Sequence, residues 1–131
     1  MNNRTRKEID KLIQRIYSLQ ADIKSVGTSG DDNEDMIEEL NELADEANDI
    51  QNDIQYLADD ERDKFDNLPE NLQWSERGEA FEAAADALDD AANIDDSQIQ
   101  AIIEALENDE EPDWDVDFSE FVDSLEQAQS V

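Results

Sequence analysis

The sequence predicts an all-α protein in which an N-terminal antiparallel coiled-coil hairpin with a long second helix is followed by two or three short helices. Apolar residues recur at steps of three and four along most of the chain, the spacing of one helical face. Only three glycines and two prolines interrupt the 131 residues. Residues that cap helices stand before each periodic stretch, so the boundaries between helices can also be predicted.

The first predicted helix begins at a capping box formed by Thr5 and Glu8 and ends at the glycine-rich turn 27–30. Its apolar residues follow a heptad pattern, with isoleucine at position a and mostly leucine at position d. This combination favours two-stranded parallel packing between chains, so we predict a homodimer or higher oligomer. The residues predicted to hold the oligomer are Ile9, Leu12, Ile16, Leu19 and Ile23.

The second predicted helix begins near Asp32 or Asn33 and extends to about Phe65, a length of about 50 Å. A short glycine-rich connection makes an antiparallel hairpin with the first helix natural. The longer helix then projects beyond the shorter one and needs cover from a second subunit or from the C-terminal helices. Its apolar stripe is Met36, Leu40, Leu43, Ala47, Ile50, Ile54 and Leu57.

The remainder of the chain is divided by helix-breaking and capping residues. Pro69 can open a short helix, Ser75 starts a third helix, and Asp95 or Asp96 caps a fourth. After Pro112 the chain alternates acidic and apolar residues before a last amphipathic stretch. The predicted segments are the hairpin 1–66, a short-helix segment 67–108 and an acidic aromatic tail 109–131 that can be helical.

The charge of the chain is strongly unbalanced. The formal net charge is −30; residues 1–30 carry three acids and six bases, and residues 31–131 carry 36 acids and three bases. Such charge destabilises a compact state by self-repulsion, so we expect a partner, a salty medium or a thin core. Adaptation to high salt and simple solubility are the two interpretations that require no binding partner.

The residue types present argue against most catalytic chemistry. The chain has no cysteine and no histidine, which excludes thiolate nucleophiles, zinc–thiolate sites and histidine general bases. Asp113, Asp115 and Asp117 have the spacing of the first calcium-loop ligands, but Phe118 replaces the glycine and Ser124 the bidentate glutamate. We therefore predict a protein that is not an enzyme and holds no metal or cofactor. We also expect no membrane segment and no signal peptide.

The second helix carries a dense row of carboxylates, about one for every 4 Å of its length. One DNA strand has a phosphate about every 3.4 Å, so such a helix can occupy a positively charged nucleic-acid channel. The alternative is a solvated face that keeps the protein soluble. The residues predicted to bind a basic partner are Glu38, Glu39, Glu42, Asp45, Glu46, Asp49, Asp53, Asp59 and Asp60.

The tail adds aromatic residues to this acidic character. Trp114, Phe118 and Phe121 are predicted to contact the partner as anchors of a docking peptide. The alternative is a tail helix that folds back on its own core and covers the second helix. Trp74 is interpreted as a core or hinge anchor. The basic residues of the first helix, Arg4, Arg6, Lys7, Lys11 and Arg15, are expected to neutralise the acidic helix or a neighbouring subunit.

One segment resembles known proteins. The stretch Phe65–Gln73, followed by Ser75-Glu76-Arg77-Gly78-Glu79, is similar to a segment of uncharacterised bacteriophage proteins that also contain acidic coiled coils. The resemblance covers about residues 57–92 and implies a phage origin and expression in the host bacterial cytoplasm. No activity and no functional residue follow from it, and the segment itself has the pattern of a hinge between helices.

Together these observations predict a phage protein that binds a basic surface of a host nucleic-acid-binding or defence protein, of anti-restriction or anti-CRISPR type, partly by DNA mimicry. Direct binding of nucleic acid or membrane is not expected at this net charge. The alternative function is an oligomeric coiled-coil structural or assembly protein of a phage particle. An enzyme that uses carboxylate-bound Mg²⁺ is the third possibility, and the missing catalytic groups argue against it.

Overall fold

The computed structural model describes residues 1–131 and contains six helices and no strand, which confirms the predicted all-α class. The first two helices are the longest, at 25 and 34 residues. The helices are α1 (Asn3–Gly27), α2 (Asn33–Asp66), α3 (Glu70–Gln73), α4 (Glu76–Ala91), α5 (Ser97–Glu107) and α6 (Ser119–Gln129).

The α1–α2 pair forms the predicted antiparallel hairpin. Arg15, in the middle of α1, reaches Glu46 and Asp53 in the middle of α2. At 1.5 Å per residue α2 is about 51 Å long and α1 about 37 Å, so α2 extends beyond its partner. The turn between them contains Gly30 at a φ of 75°, a left-handed conformation that glycine adopts without strain.

The helix starts agree with the sequence in two cases and differ in one. Asp32 caps α2 by accepting a hydrogen bond from the Asp35 amide at 2.9 Å, and Ser75 caps α4 through the Gly78 amide. The predicted capping box at Thr5 is wrong, because Asn2 lies three residues upstream and supplies the acceptor first. Its Oδ1 accepts from the Thr5 amide at 2.8 Å, which places Thr5 inside the first turn, where it is buried.

The C-terminal helices of the same chain cover the length of α2. α4 and α5 run back along α2 one after the other: Gln51 donates to the Ala92 carbonyl at 2.9 Å, and Asn33 donates to the Leu106 carbonyl at 3.2 Å. α6 then lies against both α4 and α1. The four helices α1, α2, α4 and α6 therefore form a closed ring of alternating direction, and α5 extends this ring along the first half of α2.

The apolar stripe of α1, predicted to hold an oligomer, lies in the core of a single chain. Ile9, Leu12, Ile16, Leu19 and Ile23 are all buried, and they belong to one cluster of 28 residues that reaches from α1 to Ala128. In this fold the stripe is not accessible to a second chain, so any oligomer has to use another surface. The three predicted segments contribute to this one core.

The core is thin, and alanine makes up much of it. Four of the buried residues of α4 are alanines, and α2 contributes three more. Small side chains let helix axes approach closely, so this packing buries less apolar area per helix than a leucine-rich core does. The buried alanines of these two helices are Ala44, Ala47, Ala58, Ala84, Ala85, Ala87 and Ala91.

The corner between α2 and α4 is built from residues 67–78. Gln73 donates from its side-chain amide to the Phe65 carbonyl at 3.4 Å, in the last turn of α2, and to the Leu68 carbonyl of the following loop at 3.2 Å. The Ser75 hydroxyl donates to the Leu72 carbonyl while it caps α4. Gly78 is buried directly against this turn. The corner is therefore a fixed bend rather than a flexible link.

Replacing Gly78 by alanine is expected to destabilise the protein by about 1–3 kcal/mol, the usual cost of overpacking. A Cβ at this position would lie 2.6 Å from the Gln73 carbonyl carbon and 2.7 Å from the Leu72 carbonyl oxygen, both backbone atoms. The better helix propensity of alanine, about 1 kcal/mol, opposes this effect and does not cancel it. Thermal unfolding compares this variant with Glu82→Ala, an exposed α4 position beyond the first turn at which no loss is expected. A Gly78→Ala variant as stable as wild type would contradict the close approach.

Candidate acidic binding surface

Two segments that are distant in sequence form one acidic surface. Residues 31–50 comprise the turn before α2 and its first half, and residues 95–117 comprise α5 with the chain on either side of it. Each segment carries ten acidic residues and no lysine or arginine. We call the two segments together the acidic surface.

Polar side chains hold the two segments side by side. Asn33 at the start of α2 donates both to the Leu106 carbonyl at 3.2 Å and to Asp109 at 3.3 Å. At the other end, Asn48 donates to Asp96 at 3.4 Å. Because amide donors make these contacts, the segments are joined without any basic side chain between the carboxylates.

The carboxylates of the acidic surface are almost all unpaired. Eighteen of the twenty are on exposed residues, and Glu46 and Asp96 are half-buried. Glu46, which binds Arg15 at 2.9 Å, is the one member of the twenty in an ion pair. At physiological ionic strength the screening length is about 8 Å, longer than the spacing of neighbours on one helix face, so their fields add.

The basic residues are concentrated at the opposite end of the molecule. Residues 1–11 and 61–80 carry seven of the nine bases and eight acids, a net charge of −1 that does not include Asp60, which pairs with Lys64 from just outside these ranges. We call these residues the near-neutral end. The predicted neutralising role of the α1 bases is confirmed for Arg15 alone, since Lys11 pairs with Glu8 of its own helix and Arg6 donates to the Gln129 and Val131 carbonyls.

The pairing of Arg15 affects its protonation. Burial by itself would lower the pKa of Arg15, but the hydrogen bonds and charges of Asp53 and Glu46 outweigh burial and raise it. The bonds join Nη1 to Asp53 at 2.6 Å and Nε to Glu46 at 2.9 Å. Arg15 therefore stays charged and fixes the hairpin at the inner edge of the acidic surface.

Most of the acids predicted to bind a partner lie open to solvent. Two of the nine, Glu46 and Asp60, are half-buried and paired with Arg15 and Lys64. Asp53, Asp59 and Asp60 lie beyond the acidic surface, toward the near-neutral end. The exposed members are Glu38, Glu39, Glu42, Asp45, Asp49, Asp53 and Asp59.

The tail aromatics predicted to anchor a partner are used by the fold. Phe118 is 1% exposed and therefore inaccessible to a partner, contrary to the prediction. Trp114 packs on the core and lies so close to Gly27 that a Cβ there would be 2.6 Å from its ring. Phe121 is half-buried, 6.3 Å from Phe118 between ring centroids. The alternative interpretation, a tail that folds back on its own core, describes this structure.

Hydrogen bonds fix the tail on α1 and α5. The Phe118 amide donates to the Gln20 side chain at 3.0 Å, and Asp117 exchanges two bonds of 3.0 Å with the side chain of Gln98. Hydrogen bonds from the Ser119 side chain and backbone hold the pKa of Asp117 below its usual range. The carboxylates of Asp113, Asp115 and Asp117 therefore lie on a segment that hydrogen bonds hold in place.

Sequence reasoning missed two features, one on the acidic surface and one at the near-neutral end. The acids of α5 and the following loop, chiefly Glu104, Glu107 and Asp109, are not among the predicted residues, although the absence of any base from 95–117 signals them. Trp74, interpreted as a core or hinge anchor, is 83% exposed. Nothing in the residues around Trp74 distinguishes an inward from an outward side chain in a four-residue helix.

The remaining observations concern metals, membranes and known proteins. No group of three or more carboxylates is arranged to hold a metal ion. None of the six helices has the length and apolar character that a membrane span requires. Comparison of the chain with protein-family models, with curated proteins and with solved structures finds no match.

Proposed function

We propose that this chain is a non-enzymatic protein whose acidic surface binds a basic surface of a nucleic-acid-binding protein, partly by mimicking DNA. The observation that carries the proposal is the segregation of charge. Twenty carboxylates share one end of the molecule with a single ion pair, while seven of the nine bases lie at the other end. A protein that needed acids only for solubility would gain nothing from keeping nearly all of its bases away from one set of twenty acids.

The spacing of the carboxylates supports mimicry of a phosphate backbone. Eight acids over residues 33–50 of α2 correspond to about one every 3.4 Å of helix, and a DNA strand has a phosphate about every 3.4 Å. The ten acids of residues 95–117, of which Glu104 and Glu107 are on α5 itself and the others on the chain on either side of it, lie beside this helix.

The resemblance of residues 57–92 to phage proteins supports the choice of partner. A phage protein acts in the host bacterial cytoplasm, where restriction and CRISPR effectors hold DNA or RNA in positively charged channels. We therefore propose a host defence or other nucleic-acid-handling protein as the target. Binding of this kind does not require the tail aromatics, which the fold already uses.

The proposal predicts tight binding that salt weakens and that DNA competes with. The tagged chain is used to capture proteins from bacterial lysate at about 50 mM and 200 mM salt, a range over which contacts to several phosphates lose about 10³–10⁵ in affinity. Each captured protein is then purified and titrated with fluorescent duplex DNA in the presence of the chain. Affinity that is unchanged by salt, or binding that leaves DNA affinity unaltered, would rule out mimicry.

A charge-neutralising variant locates the binding to the acidic surface. Changing Glu38, Glu39 and Glu42 to glutamine keeps the helix and removes three exposed charges, and we expect at least a tenfold loss of affinity for the captured protein. The matched control changes Glu79, Glu82 and Asp123, exposed acids of α4 and α6, to their amides and alters affinity little. Equal losses in both triple variants would show that only the net charge matters.

The alternative, a coiled-coil structural or assembly protein of a phage particle, is less well supported. It relies on the α1 stripe to hold an oligomer, and that stripe is buried within one chain. Finding this chain in stoichiometric amounts in purified phage particles would favour this alternative.

A further inference from the structure

The near-neutral end carries an exposed apolar pair that the fold does not use. Trp74 is 83% exposed and Leu72 is 41% exposed, at the corner between α3 and α4. The corner is held by Gln73, Ser75 and Gly78, so neither apolar side chain is needed for the bend. A rigid, outward tryptophan is the residue type most enriched at the energetic centres of protein interfaces.

A groove opens beside this pair. It has a volume of about 580 Å³ and is lined by parts of the chain on either side of the Trp74 segment. Leu68, Ala80 and Phe81 provide apolar surface, while Lys64 and Arg77 provide cations. The Arg77 guanidinium lies 5.7 Å from the centroid of the Phe81 ring and is in no ion pair within the chain. The end thus presents an aromatic side chain next to a cavity of a size that can receive one.

We propose that two copies of this chain dimerise through the near-neutral end, with Trp74 of each copy inserted into the groove of the other. A symmetric dimer requires a surface that is complementary to itself. This end satisfies the requirement, because it carries both signs of charge and both an aromatic side chain and an apolar groove. Glu70, Glu76 and Glu79 flank Trp74, opposite in sign to Arg77, the groove cation that makes no ion pair within its own chain.

Charge also favours a second copy over other arrangements. A contact through the acidic surface would bring two sets of twenty carboxylates together, whereas the near-neutral end has a net charge of −1. Joining this end places the two acidic surfaces on opposite sides of the dimer and leaves both open. The proposal goes beyond the binding of a basic partner, and its measurement does not involve that partner.

The dimer is tested by sedimentation of the full chain over a range of concentrations, at low salt and in about 1 M NaCl, at which the screening length is about 3 Å. The contact area available at one end of a small bundle predicts a weak, concentration-dependent dimer. Each chain carries a net charge of −30, so repulsion between the two chains outweighs the attraction of the few opposite charges at the contact, and the dissociation constant should fall when high salt screens it. Binding to a basic partner has the opposite salt dependence, so the two proposals can fail separately.

Two variants test the two sides of the contact. Trp74→Ala should raise the dissociation constant about 30-fold, the effect of losing a central tryptophan, and leave the melting temperature unchanged. Ala80→Glu should also prevent dimerisation, since it places a carboxylate in the receiving groove. The matched control is Tyr17→Ala, which removes an exposed aromatic side chain from α1, outside the groove, and should leave the dimer intact.

Three outcomes would overturn the proposal. The first is a chain that stays monomeric at every concentration in high salt, which would mean that Trp74 faces a different partner. The second is a dimer that persists in Trp74→Ala, and the third is a dimer that dissociates as salt is added. A dimer lost in both Trp74→Ala and Ala80→Glu, and retained in Tyr17→Ala, supports it.

Discussion

Replacing Phe118 by alanine is expected to lower the free energy of unfolding by about 3–5 kcal/mol, the usual cost of removing a fully buried aromatic side chain. Phe118 is the largest of the side chains buried to under 2% exposure, and its backbone amide is bonded to Gln20 of α1. Domains of this kind have a total stability of about 5–15 kcal/mol, so the variant should be close to unfolding at moderate temperature. Urea denaturation followed by helical circular dichroism measures the loss.

Phe121→Ala is the matched control, because Phe121 lies three residues away and is only half-buried. Its replacement should cost clearly less than that of Phe118. A docking peptide would behave differently: Phe118→Ala would then leave stability unchanged and weaken only partner binding. Loss of stability in Phe118→Ala, with partner binding retained in the fraction that stays folded, would place the Phe118 side chain in the core and not among the groups that contact the partner.

Local pattern was sufficient to predict most of the helices. Of the seven predicted stripe residues of α2, five are buried, and Met36 and Leu43 pack half-buried against the same core. The packing partner of α1 was predicted wrongly. Its heptad pattern is equally compatible with an interface between chains and with one face of a helical bundle. The spacing of apolar residues defines a face but not its partner, and the partner here is made of α2 and α6, up to about 120 residues away.

The acidic surface was only partly predictable, because a local pattern identifies residues on one helix but not contacts between helices. Counting carboxylates along α2 identifies Glu38, Glu39 and Glu42, because they are neighbours on one helix. The contribution of 95–117 depends on α5 packing beside α2, a contact between residues such as Asn33 and Leu106 that no local pattern reveals. The near-neutral end likewise exists only because the hairpin brings the start of α1 to the end of α2.

The interior contains one charged group, and it makes a second strong prediction possible. Glu61 is 0% exposed and occupies the next position of the α2 stripe after Leu57 and Ala58. Its Oε1 accepts a hydrogen bond from Lys64 at 2.8 Å, while its Oε2 is buried without a partner. Lys64 is in turn 3.4 Å from Asp60. A buried carboxylate held by one lysine is stable only as long as that lysine is present and charged.

Lys64→Met is therefore expected to cost about 3 kcal/mol, at the lower end of the range for breaking a buried pair because Lys64 is partly exposed. The double variant Glu61→Leu, Lys64→Met removes both charges and should recover most of the loss, since apolar replacements of buried pairs are often neutral or stabilising. Arg62→Met is the control: Arg62 bonds to the partly exposed Asp89, and such surface pairs contribute less than about 1 kcal/mol.

The pH dependence of the same pair follows from the Lys64 pKa. Burial alone would lower this pKa, but the hydrogen bond to Glu61 and the charges of Glu61 and Asp60 raise it above the ordinary 10.5. A raised pKa in the folded state means that the stabilisation is complete below pH 10.5 and is lost as the pH rises through the folded-state pKa. The free energy of unfolding of the wild type should therefore fall as the pH rises through the folded-state pKa of Lys64. The double variant should not show this decrease. If the single variant Lys64→Met is as stable as wild type, then another donor, such as water, hydrogen-bonds to the Glu61 carboxylate.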